Sequence, residues 1–116
     1  MQGPLAGIKV IEIGQALAGP LAGAIMADMG ADVIKIEKPD GGDDARSWGP
    51  PFIEEASVMF HVTNRNKRSV TLDMKNAADI EKLKTLVRDA DILIQNLRSG
   101  VVSELGIGPE HMRAIN

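Results

Sequence analysis

Hydrophobic and polar positions along this chain switch between two periods. Ile8–Ile13 (IKVIEI) and Asp32–Glu37 (DVIKIE) are short runs rich in branched apolar residues, and Ser69–Leu72 (SVTL) and Asp91–Gln95 (DILIQ) are weaker runs of the same kind. Each is bounded by Gly, Pro, Asn or Asp, as strands are. Near-continuous apolar runs suit a parallel sheet buried on both faces. Between the runs the spacing becomes helical. Pro20–Met29 predicts a first helix, with Gly30 where a C-cap glycine would sit. Ala77–Arg88 predicts another, with Asn76 as N-cap. Its apolar positions Ile80, Leu83, Leu86 and Val87 share one face, and Glu81, Lys82 and Lys84 lie elsewhere. Strand–helix–strand order predicts right-handed crossovers and an α/β sheet.

Two features do not suit a finished small domain. The stretch LAGAIMAD in the first helix is almost wholly apolar, and a helix apolar all round needs cover on every side. The sequence also stops at HMRAIN, inside what reads as a short helix. Both predict the N-terminal piece of a longer protein; the alternative is a small domain that buries its helix by oligomerising. Lys38–Ala56 breaks the alternation. It carries Asp40, Asp43, Asp44 and Glu54, several Gly and Pro, and Trp48, the only tryptophan. A long loop of this kind is a lid or binding loop, or else a surface loop that Trp48 anchors.

Composition narrows the classes. The chain has 116 residues, about the size of one domain, and is 44% hydrophobic and 25% charged, ordinary for a globular chain. A net charge of −3 gives no sign of a general nucleic-acid binder. With no cysteine there is no disulfide framework, Cys-ligated zinc or thiol nucleophile, and two histidines, His61 and His111, make no His-rich metal site. The longest uncharged run, Gly14–Ala27, is 14 residues, short of the ~20 that a membrane span needs. It contains a proline and follows no basic leader, so it does not read as a signal peptide. A cytoplasmic protein is the expectation.

In an open parallel sheet, ligands sit beyond the carboxyl ends of the strands. Those ends are Gly14–Pro20, Glu37–Lys38, Asp73–Lys75 and Asn96–Gly100. The first turn, GQALAGP, opens a helix whose free N–H groups can face an anion. It is neither G-x-G-x-x-G nor a P-loop, and it reads equally as a tightly packed strand-to-helix turn. Glu37 lies near the spacing at which a dinucleotide fold places its ribose acid. Lys38, Lys75 and Arg98 each follow a strand by a few residues. If the strands are adjacent, three cations share one rim and suit a polyphosphate; taken singly, each reads as a loop cation. Arg65, Lys67 and Arg68 form a further basic cluster, which as a class are solvated faces.

The strings IEIGQALAGPLAGAIMADMGADVIKIEKP, RSWGPPF, NRNKRSVTLDMK and ILIQNLRSGVVSELGI, in this order, resemble the start of family III CoA-transferases, the CaiB/BaiF family. The likeness runs from Gly7 to Asn116. The family includes formyl-CoA, carnitine-CoA and succinyl-CoA transferases and 2-methylacyl-CoA racemases. The resemblance implies a Rossmann-like parallel sheet with flanking helices, of which residues 1–116 are the N-terminal, CoA-binding segment of the large domain. It also implies an interlocked homodimer, acyl-CoA and a small carboxylic acid as substrates, and no metal. The nucleophilic aspartate of the transferases, like the acid–base pair of the racemases, is implied to lie beyond residue 116.

Carried over position by position, the likeness implies coenzyme A contacts at Gln15, Ala16, Leu17 and Ala18, at Lys38, at Leu72, Asp73, Met74 and Lys75, and at Asn96, Leu97 and Arg98. Lys38, Lys75 and Arg98 are implied to face the phosphates. The backbone near Leu72–Met74 and Asn96 would hold the adenosine, and Trp48 would adjoin the acyl pocket. Some positions depart from the pattern. Formyl-transferring members have His at Gln15 and Gln at Leu17. Leu97 replaces the usual aromatic and Ser99 the usual proline. Glu104 stands where many members have an arginine that helps to hold phosphate, and a carboxylate there would repel it. The alternatives are a 2-methylacyl-CoA racemase of the same family, a nucleotide- or dinucleotide-binding domain, motivated by the first turn and Glu37, and a non-catalytic piece that supplies an oligomer interface.

Overall fold

The computed structural model describes residues 3–116. In chain order its elements are β1 (Lys9–Ile13), α1 (Ala18–Asp28), β2 (Asp32–Glu37), a 3-10 turn (Asp44–Ser47), β3 (Phe52–Ile53), β4 (Ala56–Ser57), α2 (Val58–Thr63), β5 (Arg68–Thr71), α3 (Ala77–Arg88), β6 (Ile92–Gln95), α4 (Val101–Glu104) and α5 (Pro109–Ile115). Four strands form a parallel sheet in the order β5-β2-β1-β6, and β3 and β4 form a separate antiparallel pair. The α/β architecture with a parallel sheet and flanking helices is as the sequence predicts. The strand order reverses direction between β1 and β6, which makes the crevice between them the topological switch point.

Two apolar layers cover the sheet. Ile11, Ile13 and Ile36 point to one face, where Leu83 and Val87 of α3 and Met112 of α5 bury them. Val10 and Val33 point to the other, against Ala27 of α1 and Ala31. Strand side chains alternate between faces, so Glu12 and Lys35 point to the α1 face as well. They are register partners on adjacent strands and are 0% and 1% exposed.

The helix ends follow local chemistry. α1 begins at Ala18, two residues before the predicted start, because Pro20 sits in its first turn, where a missing N–H costs nothing. It ends in a Schellman motif. Ala31 N–H donates to Met26 C=O at 3.1 Å, Gly30 N–H donates to Ala27 C=O at 3.0 Å, and Gly30 takes φ +100°. α3 has its predicted bounds, and Asn76 Oδ1 accepts from Asp79 N–H at 3.1 Å.

The predicted loop Lys38–Ala56 contains a 3-10 turn and the β3–β4 hairpin, and α2 follows with Ser57 Oγ accepting from Phe60 N–H at 3.0 Å. Trp48 does not anchor this segment, being 48% exposed. Ala45, Ala56 and Phe60 form its small core instead, and the Arg46 guanidinium lies 4.0 Å over the Phe60 ring. The outer face of α1 carries exposed Leu21 and Ile25, with Leu17 and Met29 beside its two ends. At a spacing of four residues they make one stripe. Among the described residues no helix is long and apolar enough to cross a membrane.

Candidate functional site

Because all four strands are parallel, their carboxyl ends lie on one rim. Along it run the turns after β5, β2, β1 and β6, which bring together pieces of sequence far apart in the chain. A small cleft opens there, floored by Ile13 and Ile36 and lined by Gln15, Lys38, Leu72, Met74 and Leu97. Five of the predicted residues therefore share one depression. Leu72 is 3% exposed, and its N–H donates to Glu37 C=O at 3.0 Å, extending the β2–β5 ladder. Lys75 follows in an exposed turn, where Asp73 Oδ1 accepts from Lys75 N–H at 2.9 Å.

The three predicted cations lie along this rim but not together. Lys38 and Lys75 follow adjacent strands; Arg98 follows β6, at the opposite edge from β5. Three strand spacings separate those edges, about 14 Å. The Lys38 ammonium is paired with Asp44. Lys75 and Arg98 make no ion pair among the described residues. Trp48 lies in the segment after the 3-10 turn and does not line the cleft. Glu104 ends α4 and is exposed. A larger cavity, about 690 Å³, runs along β6 between Ile92, Ile94 and Met112 and holds none of the predicted residues.

At the switch point the backbone after β1 is held from outside. Asn96 Oδ1 accepts from Gln15 N–H at 3.0 Å, and Asn96 Nδ2 donates to Gln15 C=O at 2.9 Å. The amide of Asn96 is thus spent on the neighbouring loop. Glycine at position 19 leaves room for that approach: a Cβ there would stand 3.1 Å from Asn96 Cγ, closer than ordinary contact. Lys35 Nζ donates to Gly14 C=O at 2.9 Å, and Ala16 N–H donates to Asp43 Oδ1 at 3.0 Å. Ala16 takes φ +68°, in the left-handed region.

Beneath this loop lies a charged cluster that sequence reasoning missed. Lys35 Nζ is 2.8 Å from Glu12 Oε2 and 2.9 Å from Asp43 Oδ2, and Lys67 Nζ is 2.6 Å from Glu12 Oε1. All four side chains are at most 2% exposed. Two cations face two carboxylates, so the buried cluster is neutral. Lys67 also donates to Pro20 C=O, Thr63 C=O and Asn64 Oδ1. Burial pushes its ammonium below the usual lysine range, and Glu12 opposes that shift. Of the predicted solvated cluster, only Arg65 and Arg68 are surface cations, paired with Asp28 and Asp32. Lys67 is drawn inward by Glu12. A legible signal did exist: Glu12 and Lys35 each stand between two isoleucines inside a strand.

Glu37 sits where a dinucleotide fold would place its ribose acid, but it is engaged. Arg46 Nε and Nη2 donate to its two oxygens at 2.7 Å, Asp43 N–H donates at 2.8 Å, and Ser69 Oγ donates as well. Burial alone would raise this carboxyl; the Arg46, Ser69 and Asp43 bonds outweigh it and bring it down to about 2.

The profile of CoA-transferase family III matches residues 5–116. The chain belongs to CoA-transferase family III. It is 47% identical over 119 residues to the succinate–glutarate CoA-transferase of Agrobacterium fabrum, covering 97% of this chain and 30% of that protein. It is 38% identical over 112 residues to the human succinyl-CoA:glutarate CoA-transferase, covering 97% of this chain and 26% of that one. The structure superposes on a CaiB/BaiF family protein from Brucella suis with a TM-score of 0.95 and 44% identity, over 100% of this chain and 32% of that chain. The chain thus spans under a third of the length of these family members.

Proposed function

We propose that the polypeptide is an acyl-CoA:carboxylate CoA-transferase and that residues 1–116 are the coenzyme A-binding part of its large domain. The family match over residues 5–116 carries this reading. Relatives named for succinate, glutarate and citramalate favour dicarboxylates as the carboxylic acids exchanged. The strand-end rim supplies the anchoring groups. Lys75 and Arg98 have no competing carboxylate among the described residues, and the uncapped start of α1 offers backbone N–H donors beside Gln15. Lys38, Lys75 and Arg98 hold the phosphates. Gln15–Ala18, Leu72–Met74, Asn96 and Leu97 form the bed for the rest of coenzyme A, and Trp48 adjoins the acyl pocket.

On this reading the reaction is a covalent relay through an aspartate outside residues 1–116. Its carboxylate attacks the acyl-CoA thioester carbonyl and expels CoA thiolate, leaving a mixed anhydride. The thiolate attacks the aspartyl carbonyl and releases the donor carboxylate, giving an aspartyl-CoA thioester. The acceptor carboxylate attacks that thioester, and the thiolate returns to make the new acyl-CoA and free aspartate. Splitting one exchange into such steps is nucleophilic catalysis. The contribution of residues 1–116 is binding: a nucleotide tail held away from the chemistry orients the thioester. The apolar stripe of α1 would be covered within an interlocked homodimer, in the cytoplasm. The test is CoA exchange between succinyl-CoA and a dicarboxylate in the full-length polypeptide. Lys75→Ala should raise the acyl-CoA KM about tenfold, as expected for a lost charge-assisted bond. An unchanged KM, or no exchange by the wild type, overturns the reading.

A further inference from the structure

We infer that Asp43 is a positioning residue: from below the switch-point loop, and locked in turn by Lys35, it holds Ala16 in the left-handed conformation that shapes the coenzyme A bed. This inference rests on the proposed function. Three consecutive residues after β1 have backbone groups tied to side chains from three other parts of the chain. Lys35 of β2 takes Gly14 C=O, Asn96 takes both polar groups of Gln15, and Asp43 takes Ala16 N–H. A non-glycine residue at φ +68° is strained, and such strain persists only where the surroundings over-determine it.

Asp43 is itself fixed at every oxygen. Oδ1 also accepts from Ala45 N–H at 2.9 Å, capping the 3-10 turn, and Oδ2 faces Lys35 Nζ at 2.9 Å. Its own N–H donates to Glu37 at 2.8 Å. The 3-10 turn is fixed too, by Ser57 Oγ donating to Ala45 C=O. Asp43 is 2% exposed and does not line the cleft, so it acts on a ligand through the residues it holds, Ala16 among them. The long connection after β2 is therefore no detached loop: it reaches back to set the turn after β1.

The test uses the full-length polypeptide. Asp43→Ala removes the acceptor, and Asp43→Glu keeps the charge facing Lys35 but moves the carboxylate by a methylene. Each should raise the CoA dissociation constant and the acyl-CoA KM about tenfold, with the KM for the acceptor carboxylate unchanged. A purely structural role would lower the active fraction and kcat and leave both KM values alone. Adding Ala16→Gly to Asp43→Ala should recover about threefold or more, because glycine takes φ > 0 without strain. If Asp43→Ala does not fold, Asp43→Glu carries the test. Folded variants that bind CoA as the wild type does overturn the positioning role, as does a double variant with no recovery. A wild type that binds no CoA instead overturns the coenzyme A reading.

Discussion

Replacing Lys35 by Met tests the buried cluster at its centre. Methionine is close to lysine in length, so the change removes an ammonium and leaves little cavity. Lys35 Nζ now faces Glu12 Oε2 at 2.8 Å, Asp43 Oδ2 at 2.9 Å and Gly14 C=O at 2.9 Å. In the variant Glu12 keeps Lys67 at 2.6 Å, whereas Asp43 keeps only backbone N–H donors. Breaking a buried pair from one side costs about 3–5 kcal/mol, and an orphaned carbonyl costs about 1–3 kcal/mol. Water entering the gap relieves both, so the losses do not add, and about 4 kcal/mol is expected. The urea slope grows with chain size and is about 4 kcal/mol/M for a polypeptide more than three times this length, so the unfolding midpoint of the full-length polypeptide, followed by circular dichroism, should fall by about 1 M. Lys35→Met/Asp43→Asn, which also neutralises the stranded carboxylate, should regain about half of the loss. A single variant within about 1 kcal/mol of wild type, or a double variant no more stable than the single, refutes the reasoning.

Gly23→Ala should destabilise, although alanine is the better helix former by about 1 kcal/mol. A Cβ there would meet Glu12 Oε1 at 2.1 Å, and overpacking against a fixed cluster costs about 1–3 kcal/mol; a gain in urea midpoint would contradict the packing described. The Glu37 carboxyl titrates near 2 when folded, against 4.5 ordinarily. In that window the unfolded chain binds more protons, so this stability is full above about pH 5 and is lost as pH falls toward 2. Glu37→Gln should flatten the acid limb of stability against pH by about 2 kcal/mol, and an unaltered limb would show that Glu37 is not the group responsible.

The repeating architecture was legible because it is local. Apolar runs with punctuation located four strands within a residue at each end, and Ala77–Arg88 carried its face and its cap in plain view. Helix α2 was not legible: its six residues are too few to show a period, and its Ser57 cap directly follows the segment read as loop. The charged cluster depends on pairing. Glu12 and Lys35 look like interruptions of apolar strands until the register sets them opposite each other. Lys67 was misread for the same reason, since its partner Glu12 lies far away in sequence. The strand-end residues followed from topology alone, whereas the clasp of Asn96 on Gln15, across 81 positions, needed the fold.

Calorimetric titration of the full-length polypeptide with CoA, 3′-phospho-ADP and NADH, beside its Lys75→Ala variant, addresses the rim most directly. The wild type should prefer CoA and retain measurable affinity for 3′-phospho-ADP, and the variant should lose about tenfold of both. Preference for NADH, or a Lys75→Ala variant that takes up CoA as tightly as the wild type, would contradict coenzyme A binding at the rim.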